Sequence, residues 1–394
     1  MEAELHIPAG LNFECTGCGN CCLKWPVPIT NQDLERLREM GGAKVTKFNQ
    51  IFSKRFELFS HYLNKLPDGR CEFLDENNRC SIHTKYGADA KPSMCSLFPY
   101  TFCSTPTGTY ASVSFASTGV LLNSGRPLTE QKPLLQEKLS LFRSLFVRDE
   151  KEWSSLQLID GVSLSWESYL ELEKRFVSNW FSLTGSPEEK ILEFAAFVGG
   201  QLPNKSDAEK TPPMESPPEL IDAHLLNLFG EFYLPENPYQ ESKTDIDTQA
   251  FMKRLVFAQP CPSLQIAGKL VNSKIENLLD RFAYAKLFSK LYFGPGFAGF
   301  SLLSGLHHLL FVVLLLRLGC RSISEREGGE KSNGEGPGPF KDTDENRDFI
   351  LACELVRTME MRLTDVRYMP QSAIVLEVLL SSPARARRVF EQFF

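Results

Sequence analysis

The run Cys15-Thr-Gly-Cys18-Gly-Asn-Cys21-Cys22 decides how the N-terminal quarter of the chain is read. Thiols two residues apart can bring their sulfurs onto one ion, and the glycines between them let the backbone close tightly around it. Cys71, Cys80, Cys95 and Cys103 follow at wider intervals, so eight of the eleven cysteines lie between positions 15 and 103. One tetrahedral zinc or one four-iron cluster takes four ligands. Eight thiols therefore supply two sites, or one site with spares. Cys80-Ser-Ile-His83 adds an imidazole at knuckle spacing, with a surface histidine as the plainer reading of His83. Cys21 and Cys22 are neighbours whose side chains are expected to diverge and serve different ions or different roles. Cys103 lies eight residues past Cys95, beyond Phe98-Pro99, at the edge of the set. Zinc and iron–sulfur clusters accept the same thiolates, so spacing leaves the metal open.

A disulfide framework is the competing use of clustered cysteines. The opening MEAELHIPAG has neither a basic n-region nor an apolar h-region, so a cytoplasmic, reducing setting is expected. The chain is also large and its cysteine count is odd, both of which favour metal over disulfides. Cys261, Cys320 and Cys353 stand alone in helical or apolar contexts and read as small buried residues.

At 394 residues the chain is long for one core, and two domains are expected. Its net charge is −6, and the first 110 residues carry 12 Lys/Arg against 12 Asp/Glu. No basic excess is present to neutralise phosphates, which argues against nucleic acid as a partner. The fold expected is mainly α: a helical bundle-like body over 126–394 and a small loop-rich cysteine domain over 1–125 containing a short β-hairpin or sheet. Thr30-Asn-Gln-Asp33 reads as a capping box opening a helix with Leu34 and Leu37 on one face. Phe48, Phe52, Phe56 and Phe59 suggest a second helix over 46–66. Gly108–Phe115 alternates as a strand, expected to pair with Cys71–Leu74. Helical patterns begin near 128 and recur at 165–183, 187–199, 219–234, 246–258, 273–292, 300–318, 347–364 and 371–393. Residues 201–218 and 322–346 are polar and rich in Pro, Ser or Gly, and are expected to be flexible.

From Gly294 to Leu316 no Asp, Glu, Lys or Arg occurs, a stretch long enough to cross a bilayer. His307-His308 would then sit mid-span, where polar groups are costly. A helix buried on all sides in a helical domain is the expectation, without membrane association.

The cysteine motifs carry a family resemblance. Cys15-x2-Cys18-x2-Cys21-Cys22, Cys71-x-Phe-Leu, Arg79-Cys80-Ser-Ile-His83 and Lys91-Pro92-x2-Cys95-x2-Phe98-Pro99 together resemble the zinc- or iron-chelating CxxCxxCC family. The layout is similar to that of its flagellin lysine-N-methylase branch. The resemblance is specific over 13–120 and looser over 270–320. It implies that the metal ligands lie among Cys15, Cys18, Cys21, Cys22, Cys71, Cys80 and Cys95, and that the apolar helix belongs to a soluble fold. Ser117-Thr118 stands where the methylase branch carries Cys-Pro, and the tight cysteine spacing suits the general chelating family better.

Three functions follow as expectations. The first is a metal-binding protein holding iron–sulfur or zinc. The second, implied by the resemblance, is protein-lysine methylation with S-adenosylmethionine and a protein substrate. The third is a metal-stabilised scaffold whose helical body meets a protein partner. Gly294-Pro-Gly296-Phe-Ala-Gly299, the one glycine-rich candidate for a cofactor loop, follows a helix-like segment rather than a strand and reads as a helix break.

Overall fold

Thr30 ends a short strand and starts a helix by the reciprocal bonds that the sequence suggests. Asp33 N–H donates to Thr30 Oγ1 at 3.1 Å, and Thr30 N–H donates back to Asp33 Oδ2 at 3.1 Å. The helix this opens, α1 (Asn31–Glu39), buries Leu34 and Leu37. A computed structural model describes residues 4–22, 27–40, 45–47, 58–67, 69–146, 150–202, 225, 229, 233, 272–325, 344–364 and 369–393. The chain divides into two units, Met1–Glu150 and Lys151–Phe394, and its fold is mainly α.

Unit 1 carries two three-stranded sheets. In the first, β1 (Leu5–His6) runs parallel to β6 (Gly108–Val113), which pairs antiparallel with β5 (Tyr100–Thr105). In the second, β4 (Phe59–Leu63) lies between β2 (Pro28–Thr30) and β3 (Val45–Lys47), antiparallel to both. Short helices α2 (Ser81–Tyr86), α3 (Ser93–Leu97) and α4 (Thr118–Leu121) and the longer α5 (Lys132–Leu145) complete it. Helix α5 packs on α3 and β5, so it belongs with the cysteine region and the contact boundary falls after 150 rather than at 125.

Two local expectations are corrected. The strand at 108 pairs with 100–105, not with Cys71–Leu74, because Pro106-Thr107 closes a hairpin at once and a local loop is the less costly one to close. The described ends of the 46–66 segment are strands rather than helix; Phe48, Phe52 and Phe56 lie outside the described residues. In β4 only the end residues Phe59 and Leu63 are buried, and pairing on both edges overrides the helical phenylalanine spacing.

Unit 2 contains a small hairpin, β7 (Gln157–Ile159) with β8 (Val162–Ser163), then α6 (Trp166–Lys174) and α7 (Pro187–Gly199). Its remaining helices are α8 (Ser273–Phe288), α9 (Leu302–Glu325), α10 (Asp344–Leu363), α11 (Met369–Leu380) and α12 (Pro383–Phe393). The pattern at 371–393 is thus two helices, divided at Ser381-Ser382-Pro383, where proline cannot continue the first. Segments 219–234 and 246–258, and 203–218 of the first expected flexible stretch, fall outside the described residues, apart from helical Leu225, Phe229 and Tyr233. Of the second stretch, 322–325 and 344–346 are helical and the remainder is likewise outside.

Helix α9 is the axis of unit 2, packed by α7, α8, α10, α11 and α12. Leu302–Arg321 is long and apolar enough to cross a membrane, yet its most apolar window is 94% buried within the protein. His307 Nδ1–H donates to the Leu380 carbonyl at 2.5 Å, and His308 Nε2 lies 2.7 Å from the Tyr233 hydroxyl. Burial pushes both imidazoles down, to about 4 and about 3, so they stay neutral near pH 7. Gly294–Gly296 forms a single tight turn between α8 and α9, the helix break expected of it.

Candidate metal centre

Four cysteines reach one interior region of unit 1 from four separate segments. Cys22 closes a one-turn 3₁₀ helix, Asn20–Cys22. Cys71 follows the Leu66–Arg70 turn and donates its N–H to the Cys22 carbonyl at 3.1 Å. Cys80 precedes α2, and Cys95 is the third residue of α3. Cys71 is itself part of the apolar core built on Ile29, Leu34, Leu37 and Leu63, and Cys22, Cys80 and Cys95 pack against that core.

Each approach is fixed by local chemistry. Between Cys71 and Cys80, Asp75 Oδ1 accepts from the N–H groups of Asn77 and Arg79 at 2.9 and 2.8 Å. A bridge between Leu74 and Cys80 closes this loop, and Ser81 N–H donates to the Phe73 carbonyl at 2.7 Å. Such an aspartate-anchored turn is what a short knuckle needs to aim its cysteine. Gly17 and Gly19 both take left-handed backbone (φ 65° and 71°) in the loop leading to Cys22. A Cβ on Gly19 would sit 2.7 Å from the Asn78 carbonyl oxygen, so the loop lies directly on the knuckle. Gly19→Ala is expected to cost about 1–3 kcal/mol through the left-handed strain and the contact together. Chemical denaturation of unit 1 checks this.

Asp33 does more than cap α1. Its Oδ1 accepts from the Ser93 N–H at 3.0 Å and the Ser93 hydroxyl at 2.9 Å, tying the start of α3 to α1. Cys95 follows two residues later. Asp33→Ala is expected to destabilise unit 1 by about 2–4 kcal/mol, since a cap is lost and buried donors are left unpaired. Thermal melting should show it, and hydrogen exchange should place the loosening at 93–97 as well as at 31–34.

The thiols act on one another electrostatically. Burial is the main cause pushing Cys22 up to about 12, and negative charge on Cys71, Cys21 and Cys80 raises it further, with Lys65 opposing. Cys95 is also raised, first by burial and then by Cys22, Cys71 and Cys80, with Lys91 opposing. Cys71 is raised chiefly by burial. The thiols therefore disfavour one another's ionised forms, a penalty that a bound cation would reverse. Among the described residues, however, no three His, Cys, Asp or Glu side chains are set to hold one ion as they stand. Charge coupling acts over several ångströms, whereas ligation needs each sulfur about 2.3 Å from a common point.

The remaining expected ligands have the following surroundings. Cys21 adjoins Cys22, whose pKa its charge helps to raise, and its thiol lies 3.9 Å from the Ser117 hydroxyl. Cys15 is exposed, and Cys18 is half-buried on the same loop. Cys103 is buried in β5 opposite Tyr110. His83 is exposed on α2, where the Lys91 charge holds its pKa below the ordinary value. None of the ten described cysteines is disulfide-bonded; Cys320 and Cys353 are buried in unit 2, and Cys261 lies outside the described residues. Lys65 and the Asp33–Ser93 tie carried no signal in the sequence, since both depend on residues that only folding brings together.

Residues 14–117 match a family model described as "CxxCxxCC: Putative zinc- or iron-chelating domain". Over 93 residues the chain is 29% identical to an uncharacterized protein of the archaeon Methanocaldococcus jannaschii, covering 23% of this chain and 30% of that protein. The chain thus spans less than a third of that relative's length. No solved structure matches.

Proposed function

We propose that this protein is a metal-binding cysteine-cluster protein and that Cys22, Cys71, Cys80 and Cys95 are the inner ligands of its centre. The observation that carries this is the convergence of four reduced thiols, from four segments, on one packed core. The donor set fits by type and number: four soft thiolates suit zinc or an iron–sulfur cluster and disfavour magnesium or calcium. Binding would draw the sulfurs inward from their present spacing, with the knuckle turn and the Asp33–Ser93 tie holding Cys80 and Cys95 in place. Cys15, Cys18 and Cys21, on the loop that leads to Cys22, would be available to an iron–sulfur cluster or a second ion. A bound zinc would staple the four segments, and an iron–sulfur cluster would add one-electron chemistry. Gly294–Gly296 breaks a helix and lends no support to methyl transfer.

The test is anaerobic purification of the full chain with metal and sulfide analysis. About one zinc, or about one cluster's iron and sulfide, is expected per chain. A chain that neither carries nor takes up either metal would contradict the proposal.

A further inference from the structure

Lys65 occupies an unusual place for a lysine. It is half-buried, two residues past the end of β4, and its ammonium donates to the Cys22 carbonyl oxygen at 2.8 Å. Its backbone bridges antiparallel to Cys71. The turn between them is closed by Leu66 N–H donating to the Arg70 carbonyl and Gly69 N–H to the Leu66 carbonyl, each at 2.8 Å. One side chain thus fastens the Cys22 segment while its own backbone fastens the Cys71 segment. Those two segments are otherwise joined by the Cys71 N–H bond to the same Cys22 oxygen. A lysine ammonium is normally strongly hydrated, and giving up part of that water for a carbonyl calls for a further electrostatic return.

Four thiolates supply that return. A divalent ion held by four of them keeps a net double negative charge, in a region where burial already disfavours charge. We propose that Lys65 is the resident counter-cation of the cysteine centre, positioning Cys22 and Cys71 through its two attachments and offsetting the negative charge of a four-thiolate complex. The inference rests on the metal-binding reading above. Lys65 is a positioning residue and carries no bond to the metal.

The experiment titrates the metal-free full chain with Zn²⁺ against a chromophoric chelator, for wild type, Lys65→Met, Lys65→Gln and Lys65→Arg. Groups that support metal ligands from outside typically matter about 10–100-fold in affinity, and Lys65→Met is expected to weaken zinc binding by that factor at unchanged stoichiometry. Lys65→Arg should stay within about threefold of wild type, because it keeps the charge and a donor. Lys65→Gln, which keeps a donor for the Cys22 carbonyl but not the charge, should fall near Lys65→Met. Wild-type affinity in Lys65→Met overturns the inference. So does Lys65→Gln matching wild type, which would leave only a hydrogen bond, or Lys65→Arg losing as much as Lys65→Met. If Lys65→Met does not fold without metal, the Gln and Arg pair decides alone. A wild-type chain that takes up neither zinc nor iron removes the underlying reading, and this inference with it. Normal wild-type uptake with an unaffected Lys65→Met removes this inference only.

Discussion

Cys71→Ser is expected to lose more than about 100-fold in metal affinity and to loosen the core that joins β2, β4, α1 and the knuckle. Cys71 is the buried member of the four and already part of the apolar core, so its loss removes a ligand and a packing contact together. Structural zinc in small domains carries apparent binding free energies of about 10–16 kcal/mol, and much of that is folding free energy. Chelation of the wild type should therefore reproduce the variant's behaviour. Proteolysis should open unit 1 in both cases while unit 2 resists. The neighbouring pair gives a sharper comparison. Cys22→Ser should resemble Cys71→Ser, whereas Cys21→Ser, whose thiol points toward Ser117, should keep the inner centre. Cys353→Ser serves as the control: burial holds that thiol up at about 12 in unit 2, and a substitution there should cost about 1 kcal/mol without changing metal content. Equal metal content in Cys71→Ser and Cys353→Ser would sink the ligand assignment.

Much of this was legible in the residues because the signals are local. The capping box at Thr30–Asp33, the helix over 187–199 and the buried apolar helix each depend on neighbours within a few turns, and each is found. What failed to show was pairing across distance. Phe59–Leu63 is a strand only because β2 and β3 lie on either side of it. A run of phenylalanines three or four residues apart cannot report a partner strand about 30 residues away in sequence. The cysteines behaved in the same way. Their clustering in sequence marked the region, but that Cys22, Cys71, Cys80 and Cys95 meet at one apolar core follows from backbone turns. Left-handed Gly17 and Gly19 set the direction of the loop, and the Asp75 turn sets that of Cys80. Lys65 illustrates the limit most plainly. Nothing around Asn64-Lys65-Leu66 distinguishes it from a surface lysine until the Cys22 carbonyl is in place.

Arg317→Met is expected to destabilise unit 2 by about 3–5 kcal/mol, and the loss should shrink at mildly acidic pH. Arg317, on α9, donates from Nε and Nη2 to the two carboxylate oxygens of Glu188 on α7, at 2.7 and 2.9 Å. It also donates from Nη1 and Nη2 to Glu276 on α8, at 2.5 and 2.8 Å. The Glu188 side chain is fully buried and that of Glu276 is 35% exposed, so removing the guanidinium strands Glu188 far more than Glu276. Burial already raises the Glu188 pKa, with the Arg317 bonds and charge opposing the rise. Without Arg317 that opposition is gone and the folded-state pKa climbs further. A carboxyl whose folded pKa exceeds its unfolded value binds more protons when folded, so its stability is present at low pH and is lost as pH rises through the folded pKa. The variant should therefore melt closer to wild type near pH 5 than near pH 8. Replacing Arg317 and Glu188 together by methionine should recover much of the loss, since it removes the stranded charge rather than exposing it. Thermal melts of the three proteins across that pH range provide the measurement. A constant deficit at every pH would show that Glu188 takes up no proton when its partner is removed, and would overturn the linkage argument.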